Sequence, residues 1–78
     1  MTQEEALKWF AELFGLPVAS ISPETTRAQI STWDSLGVLT LMAALDETFN
    51  IVTDDATMRS MQSVNDVLDL LRKNGKLA

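Results

Sequence analysis

Cysteine and histidine are both missing from the 78 residues. Without cysteine there are no disulfides. Without either residue there is no usual structural zinc site, and the Ser-His and Cys-His pairs of nucleophilic enzymes cannot be built. The acidic pairs Asp46-Glu47 and Asp54-Asp55 do not have calcium-loop spacing, so no metal site and no catalytic constellation is expected. Only three glycines and two prolines interrupt a chain that is 46% hydrophobic, which argues for an ordered domain over a disordered tail. Basic residues are few: six Lys and Arg against eleven Asp and Glu, a formal net charge of −5. That balance argues against nucleic acid and anionic membrane surfaces, and basic protein partners are its natural complement. No apolar run approaches the ~20 residues of a membrane span. The acidic start Met1-Thr2-Gln3-Glu4-Glu5 has no basic n-region of a signal peptide, so a cytoplasmic location is expected.

A chain of this length allows one domain, spanning 1–78, with a monomer as the default. A core this small rarely supplies more than ~3–5 kcal/mol, so packing and helix caps must carry the stability. The spacing predicts four helices. The first starts at the capping box Thr2-Gln3-Glu4-Glu5, carries Ala6, Leu7, Phe10, Leu13 and Phe14, and stops at Gly15, with Pro17 beyond. A long connection, Leu16 to Trp33, follows. It is expected to turn around Ser22-Pro23-Glu24 and to be pinned to the core by Val18, Ile21 and Ile30. A loop this long in a small domain is often functional. The second helix runs from about Ser35 to Thr48 with Asp34 as N-cap, and a short third covers Asp54 to about Arg59. The fourth opens on Ser63-Val64-Asn65-Asp66, buries Val64, Val67, Leu68 and Leu71, and ends at Asn74-Gly75. Arg72, Lys73 and Lys76 complement its C-terminus. The expected core is Trp9, Phe10, Phe14, Leu39, Met42, Leu45, Phe49, Val67 and Leu71.

At about 100° per residue, the second helix puts Val38, Leu39, Leu41, Met42, Leu45 and Phe49 on one broad apolar side. Gly37, Thr40, Ala43, Ala44 and Glu47 lie opposite. Leu36 falls with Thr40, Ala43 and Glu47, away from the apolar side, either as a nonpolar contact for a partner or as one of the single surface hydrophobes normal in proteins. Gly37 costs about 0.5–1 kcal/mol relative to Ala; it either permits close approach of a partner or of the arm, or is a tolerated solvent-facing glycine. Ser35 occupies the first turn, where backbone N–H groups lack intrahelical partners and the helix dipole favours a negative group. Taken alone, Asp34 and Ser35 read as an ordinary capping pair.

The wider pattern adds to this. Trp33-Asp34-Ser35-Leu36-Gly37, followed by Leu41-Met42-Ala43-Ala44-Leu45-Asp46-Glu47-Thr48-Phe49-Asn50-Ile51, resembles the acyl carrier protein family, whose members carry D-S-L at the start of the second helix and then an apolar stripe, an acidic pair and F-x-I. The resemblance extends over essentially the whole chain. It implies an all-α, acyl-carrier-like four-helix bundle with a short third helix and a long first loop. It also implies that Ser35 bears 4'-phosphopantetheine, transferred from coenzyme A by a phosphopantetheinyl transferase, and that Asp34 helps position Ser35 for that metal-using enzyme. The cargo would be a thioester on the arm's thiol, which explains how a carrier can lack cysteine. Leu36 would be a docking contact, and with it Thr40, Ala43 and Glu47 form the partner-binding face.

Two departures from the family point to a specialised lipid or polyketide-type pathway instead of bulk fatty acid synthesis. Gly37, Thr40 and Thr48 stand where acidic residues are common in fatty acid carriers, and a muted charge changes on-rate and partner choice. Trp33 stands where those carriers have a small residue. The alternatives left by the sequence are an aminoacyl or peptidyl carrier, such as a D-alanyl carrier, and a cofactor-free helical interaction module docking through Leu36. In the carrier readings the loading and transferring enzymes would present basic or apolar docking patches.

Overall fold

Each of the four helices begins at a residue that caps it. The computed structural model describes residues 1–77, and places α1 at Gln3–Phe14, α2 at Ser35–Phe49, α3 at Asp55–Ser60 and α4 at Val64–Lys73. Thr2 and Glu5 form the reciprocal box expected for α1: Glu5 N–H donates to Thr2 Oγ1 at 3.2 Å and Thr2 N–H to Glu5 Oε1 at 2.9 Å. Ser63 and Asp66 do the same for α4, Asp34 caps α2 and Asp54 caps α3. Chain reversal at Gly15 is made in the left-handed region, at φ 68°, where a glycine has no Cβ to penalise. The bounds agree with the sequence expectation to within a residue or two. Among the described residues there is no named strand, only an isolated bridge between Thr26 and Ser63.

The core is drawn from all four helices and the first loop. Ala6, Phe10, Ala11 and Phe14 of α1, Val38, Leu41 and Leu45 of α2, Met58 of α3, and Val64, Val67, Leu68 and Leu71 of α4 are buried, with Ile21, Ile30 and Trp33 from the loop. Trp9, Met42 and Phe49 are half-buried against that centre, and the Trp9 ring meets Phe49 edge-on at 5.0 Å. Two expectations need correction. Leu39, placed in the core from the periodicity of α2, is 49% exposed. Val18, expected to pin the loop, is also 49% exposed, and Ile21, Ile30 and Trp33 hold the loop to the core without it.

The long connection is tied down by its own backbone. It turns at Ser22–Thr25, where Thr25 N–H reaches Ser22 O, and it contains 3-10 turns at Val18–Ser20 and Arg27–Gln29. The backbone amides of Val64 and Asn65 donate to the carbonyls of Thr25 and Pro23, and Arg27 N–H donates to Gln62 O, all within 2.9 Å. The loop is thereby fixed to the start of α4 before it delivers the chain to α2. Among the described residues no helix is long and apolar enough to cross a membrane.

The exposed caps make the acid response local. Hydrogen bonds from the Thr57 side chain and then its backbone hold the Asp54 carboxyl below its ordinary value, and those from the Thr2 backbone and then side chain do the same for Glu5. A carboxylate depressed in the folded state contributes stability that is complete above its unfolded pKa and is lost as pH falls through the folded one. The α3 cap is therefore expected to hold through mild acid and to release with a midpoint below 3.8, the ordinary aspartate value. Titration of the Thr57 amide by NMR reads it directly, and Asp54→Asn, which still caps, should remove that step.

Candidate functional site

Ser35 is the first residue of α2 and is exposed. The Asp34 carboxylate is turned toward the helix and accepts from Gly37 N–H at 3.0 Å, and Val38 N–H takes the Asp34 carbonyl. Among the described residues, the N–H groups of Ser35 and Leu36 make no hydrogen bond, and the Ser35 hydroxyl is likewise unengaged. No acidic side chain lies in the first turn. A hydroxyl thus stands at the positive end of a fifteen-residue helix with two free donors beside it, a setting that suits a phosphate ester. The residues present therefore fit a phosphate-linked group on Ser35.

Two kinds of surface leave this hydroxyl along α2. Leu36, Thr40, Ala43 and Glu47 share one ridge, and all four are exposed; Leu36 is 73% exposed. The structure therefore places the residues singled out from the sequence on one face. Leu39, Met42 and Asp46, at i+4, i+7 and i+11 from Ser35, lie within about 40° of its direction on the helix. With Ala43 they form the α2 wall of a groove of about 330 Å³, completed by Val52 and Thr53 from the following connection. This explains the exposure of Leu39: it faces the groove and not the core. Thr53 lines the groove, and its hydroxyl is buried without a hydrogen-bond partner in the chain, a situation that costs about 1–3 kcal/mol.

The mouth of α2 is braced by Gly37 and Trp33, which stand out in the sequence, and by Thr32 and Arg27, which do not. Gly37 is buried, not solvent-facing: a Cβ there would overlap the Thr32 carbonyl oxygen and come within 3.0 Å of Phe14 Cε1. Thr32 Oγ1–H in turn donates to Phe14 O at 3.2 Å, so the loop strand is strapped to the end of α1 and lies flat on Gly37. Arg27 Nε–H donates to Trp33 O at 2.9 Å, and its Nη1 reaches Arg59 O, linking the mouth to α3. The Trp33 ring packs against Phe10 and Phe14 at 5.3 and 5.9 Å. Helical spacing does not show these contacts, because they are made by irregular backbone in the loop or join the loop to α1 and α3. The sequence signals are the odd glycine and the unusual Trp33.

In an exposed helix, Gly→Ala is usually stabilising by about 0.5–1 kcal/mol. At Gly37 the sign is expected to reverse. Displacing a strapped backbone costs what overpacking costs, about 1–3 kcal/mol and more where a carbonyl must move. Gly37→Ala should therefore lose about 2 kcal/mol in urea denaturation. A gain would mean that the Thr32 strap is loose.

No family model matches the chain. It is similar to the acyl carrier protein of Syntrophobacter fumaroxidans, with 34% identity over 64 residues, 82% of this chain and 79% of the relative. It is also similar to the acyl carrier protein of Desulforapulum autotrophicum, with 31% identity over 62 residues, 80% of each chain. That degree of likeness, on a four-helix fold that opens its second helix with Asp34-Ser35-Leu36, assigns the chain to the acyl carrier protein family, whose members are carriers and not enzymes.

Proposed function

We propose that this protein carries an acyl cargo on a 4'-phosphopantetheine arm attached to Ser35. In this reading it is a cytoplasmic monomer that presents the cargo to the enzymes of a specialised lipid or polyketide-type pathway. The observation that carries the reading is the exposed, unengaged Ser35 hydroxyl at the start of α2, beside two free amides and in line with an apolar groove. When bound, the arm supplies a terminal thiol that holds the cargo as a thioester.

The chain's own part in loading is limited and specific. Ser35 Oγ forms a bond to phosphorus of coenzyme A's diphosphate, the diphosphate P–O bond breaks, and the adenosine bisphosphate leaves. The hydroxyl proton passes to the transferase. Asp34, held to the Gly37 amide, fixes the direction in which Ser35 faces. Leu36, Thr40, Ala43 and Glu47 offer a nearly neutral ridge with one carboxylate, suited to partners whose patches are apolar with a basic margin. The groove walled by Leu39, Met42, Ala43 and Val52 favours an acyl load over an aminoacyl one, because its lining is predominantly apolar.

Incubation with coenzyme A and a broad-specificity phosphopantetheinyl transferase, followed by intact-mass analysis and peptide mapping, tests the proposal. One phosphopantetheine on the Ser35 peptide is the expected result. An unmodified chain would instead leave a cofactor-free interaction module.

A further inference from the structure

Two buried side-chain polar atoms among the described residues have no partner within the chain, Trp33 Nε1 and Thr53 Oγ1. The first belongs to a ring packed on Phe10 and Phe14, away from the groove beside Ser35. The second belongs to a residue of the groove wall. From this difference we infer that Thr53 determines which cargo the protein holds: its hydroxyl donates a hydrogen bond to a carbonyl or hydroxyl oxygen borne along the acyl chain. The inference rests on Ser35 carrying the arm.

The lining of the groove narrows the chemistry. Leu39, Met42, Ala43 and Val52 give a hydrocarbon guest its contacts, and the Asp46 carboxylate offers acceptor oxygens and no donor. Thr53 is the one side-chain hydrogen-bond donor on the wall. A plain hydrocarbon chain would be served equally well by valine, which has the shape of threonine without the burden of an unpaired hydroxyl. An oxygenated chain gives that hydroxyl its missing acceptor.

The position of Thr53 is fixed and in line with the attachment point. Its successor Asp54 caps α3 through Thr57 N–H, and its predecessors Asn50 and Ile51 close α2, with Ile51 buried. Leu39, Met42 and Asp46 continue the direction of Ser35 down the same groove. With the groove empty the hydroxyl is covered. A chain that parts α2 from the 50–54 connection uncovers it, and Met42, an unbranched thioether, is the side chain best able to yield.

The experiment loads the full chain enzymatically with hydrolysis-resistant amide analogues. These are a bare pantetheine arm, an octanoyl-bearing arm, and its β-oxo and δ-oxo counterparts, each confirmed by intact mass before any further measurement. Thermal melting and the Thr53 methyl resonance are then recorded for the wild type, Thr53→Val and Thr53→Ser. At least one oxo chain is expected to raise the melting temperature above that of the plain chain by about 4–8 °C, the shift that one ordinary hydrogen bond gives a domain of this size. The same chain should move the Thr53 resonance, Thr53→Val should close the gap, and Thr53→Ser should keep it. Equal melting of plain and oxo chains in the wild type, or a gap that survives in Thr53→Val, would overturn the inference. So would a bare arm that moves Thr53 as far as the oxo chain does, because the contact would then belong to the arm's own amides. Absence of loading, visible as an unchanged mass, would overturn the carrier reading itself and this inference with it.

Discussion

Ser35→Ala is expected to abolish loading completely while leaving the melting curve of the unloaded protein where it was. The two halves of this expectation have separate causes. Loading needs a nucleophilic oxygen at one place on the surface, and the alanine methyl cannot accept the phosphoryl bond, so the loss is total and not fractional. Stability is indifferent because the Ser35 side chain is exposed and makes no hydrogen bond among the described residues. Alanine also suits a first-turn position, so the change should stay within about 0.5 kcal/mol. Ser31→Ala, an exposed serine four residues upstream in the loop, is the control and should load like the wild type. Residual modification of Ser35→Ala at another residue would move the attachment site and remove the basis for the groove's role.

The legible parts of the molecule were those decided locally. Thr2-x-x-Glu5 and Ser63-x-x-Asp66 announce helix starts because the bonds that cap a helix span three residues. Asp34 before Ser35 places the start of α2 for the same reason. The third reciprocal box, Thr26 with Gln29, was overlooked because it caps a single 3-10 turn with no apolar stripe after it. The burial pattern of α2 was harder to read. Its apolar side chains occur around most of the circumference, so periodicity alone set the buried arc one residue too wide. Leu39, expected in the core, walls a groove instead, and Gly37, expected on the polar face, is covered within the chain by Thr32. The ridge of Leu36, Thr40, Ala43 and Glu47 survived that error because it lies farthest from the disputed edges.

The residues that were not legible share one property: their roles are set by contacts outside any regular helical spacing. Thr32 matters through Phe14 and Gly37, Arg27 through Trp33 and Arg59, and Thr53 through the side chains of α2 that it faces. Together they fix the two ends of the working surface. The strapped loop sets where the Ser35 hydroxyl emerges, and the 50–54 connection sets what lies down the groove from it. A protein built this way holds the Ser35 position through backbone packing and leaves adaptability to the groove, where Met42 and the exposed Val52 can shift at low cost.

Trp33 tests how much of that rigidity rests on one side chain. It is 2% exposed, stacks at the junction of Phe10 and Phe14, and lies two residues before Ser35. Removing so large a ring typically costs about 3–5 kcal/mol. The whole domain has roughly 0.05–0.15 kcal/mol per residue to lose, so Trp33→Ala should leave a largely unfolded chain at 37 °C and fail to load for that reason. Trp33→Phe is expected to behave differently. It retains a ring against Phe10 and Phe14, and it deletes an indole N–H that is buried without a partner, a burden of about 1–3 kcal/mol that offsets much of the lost contact area. The phenylalanine variant should therefore stay within about 1 kcal/mol of the wild type in urea denaturation and load normally. If it fell as far as the alanine variant, the indole nitrogen would have to be engaged. Trp33 would then hold the mouth of α2 through a specific bond and not through its bulk.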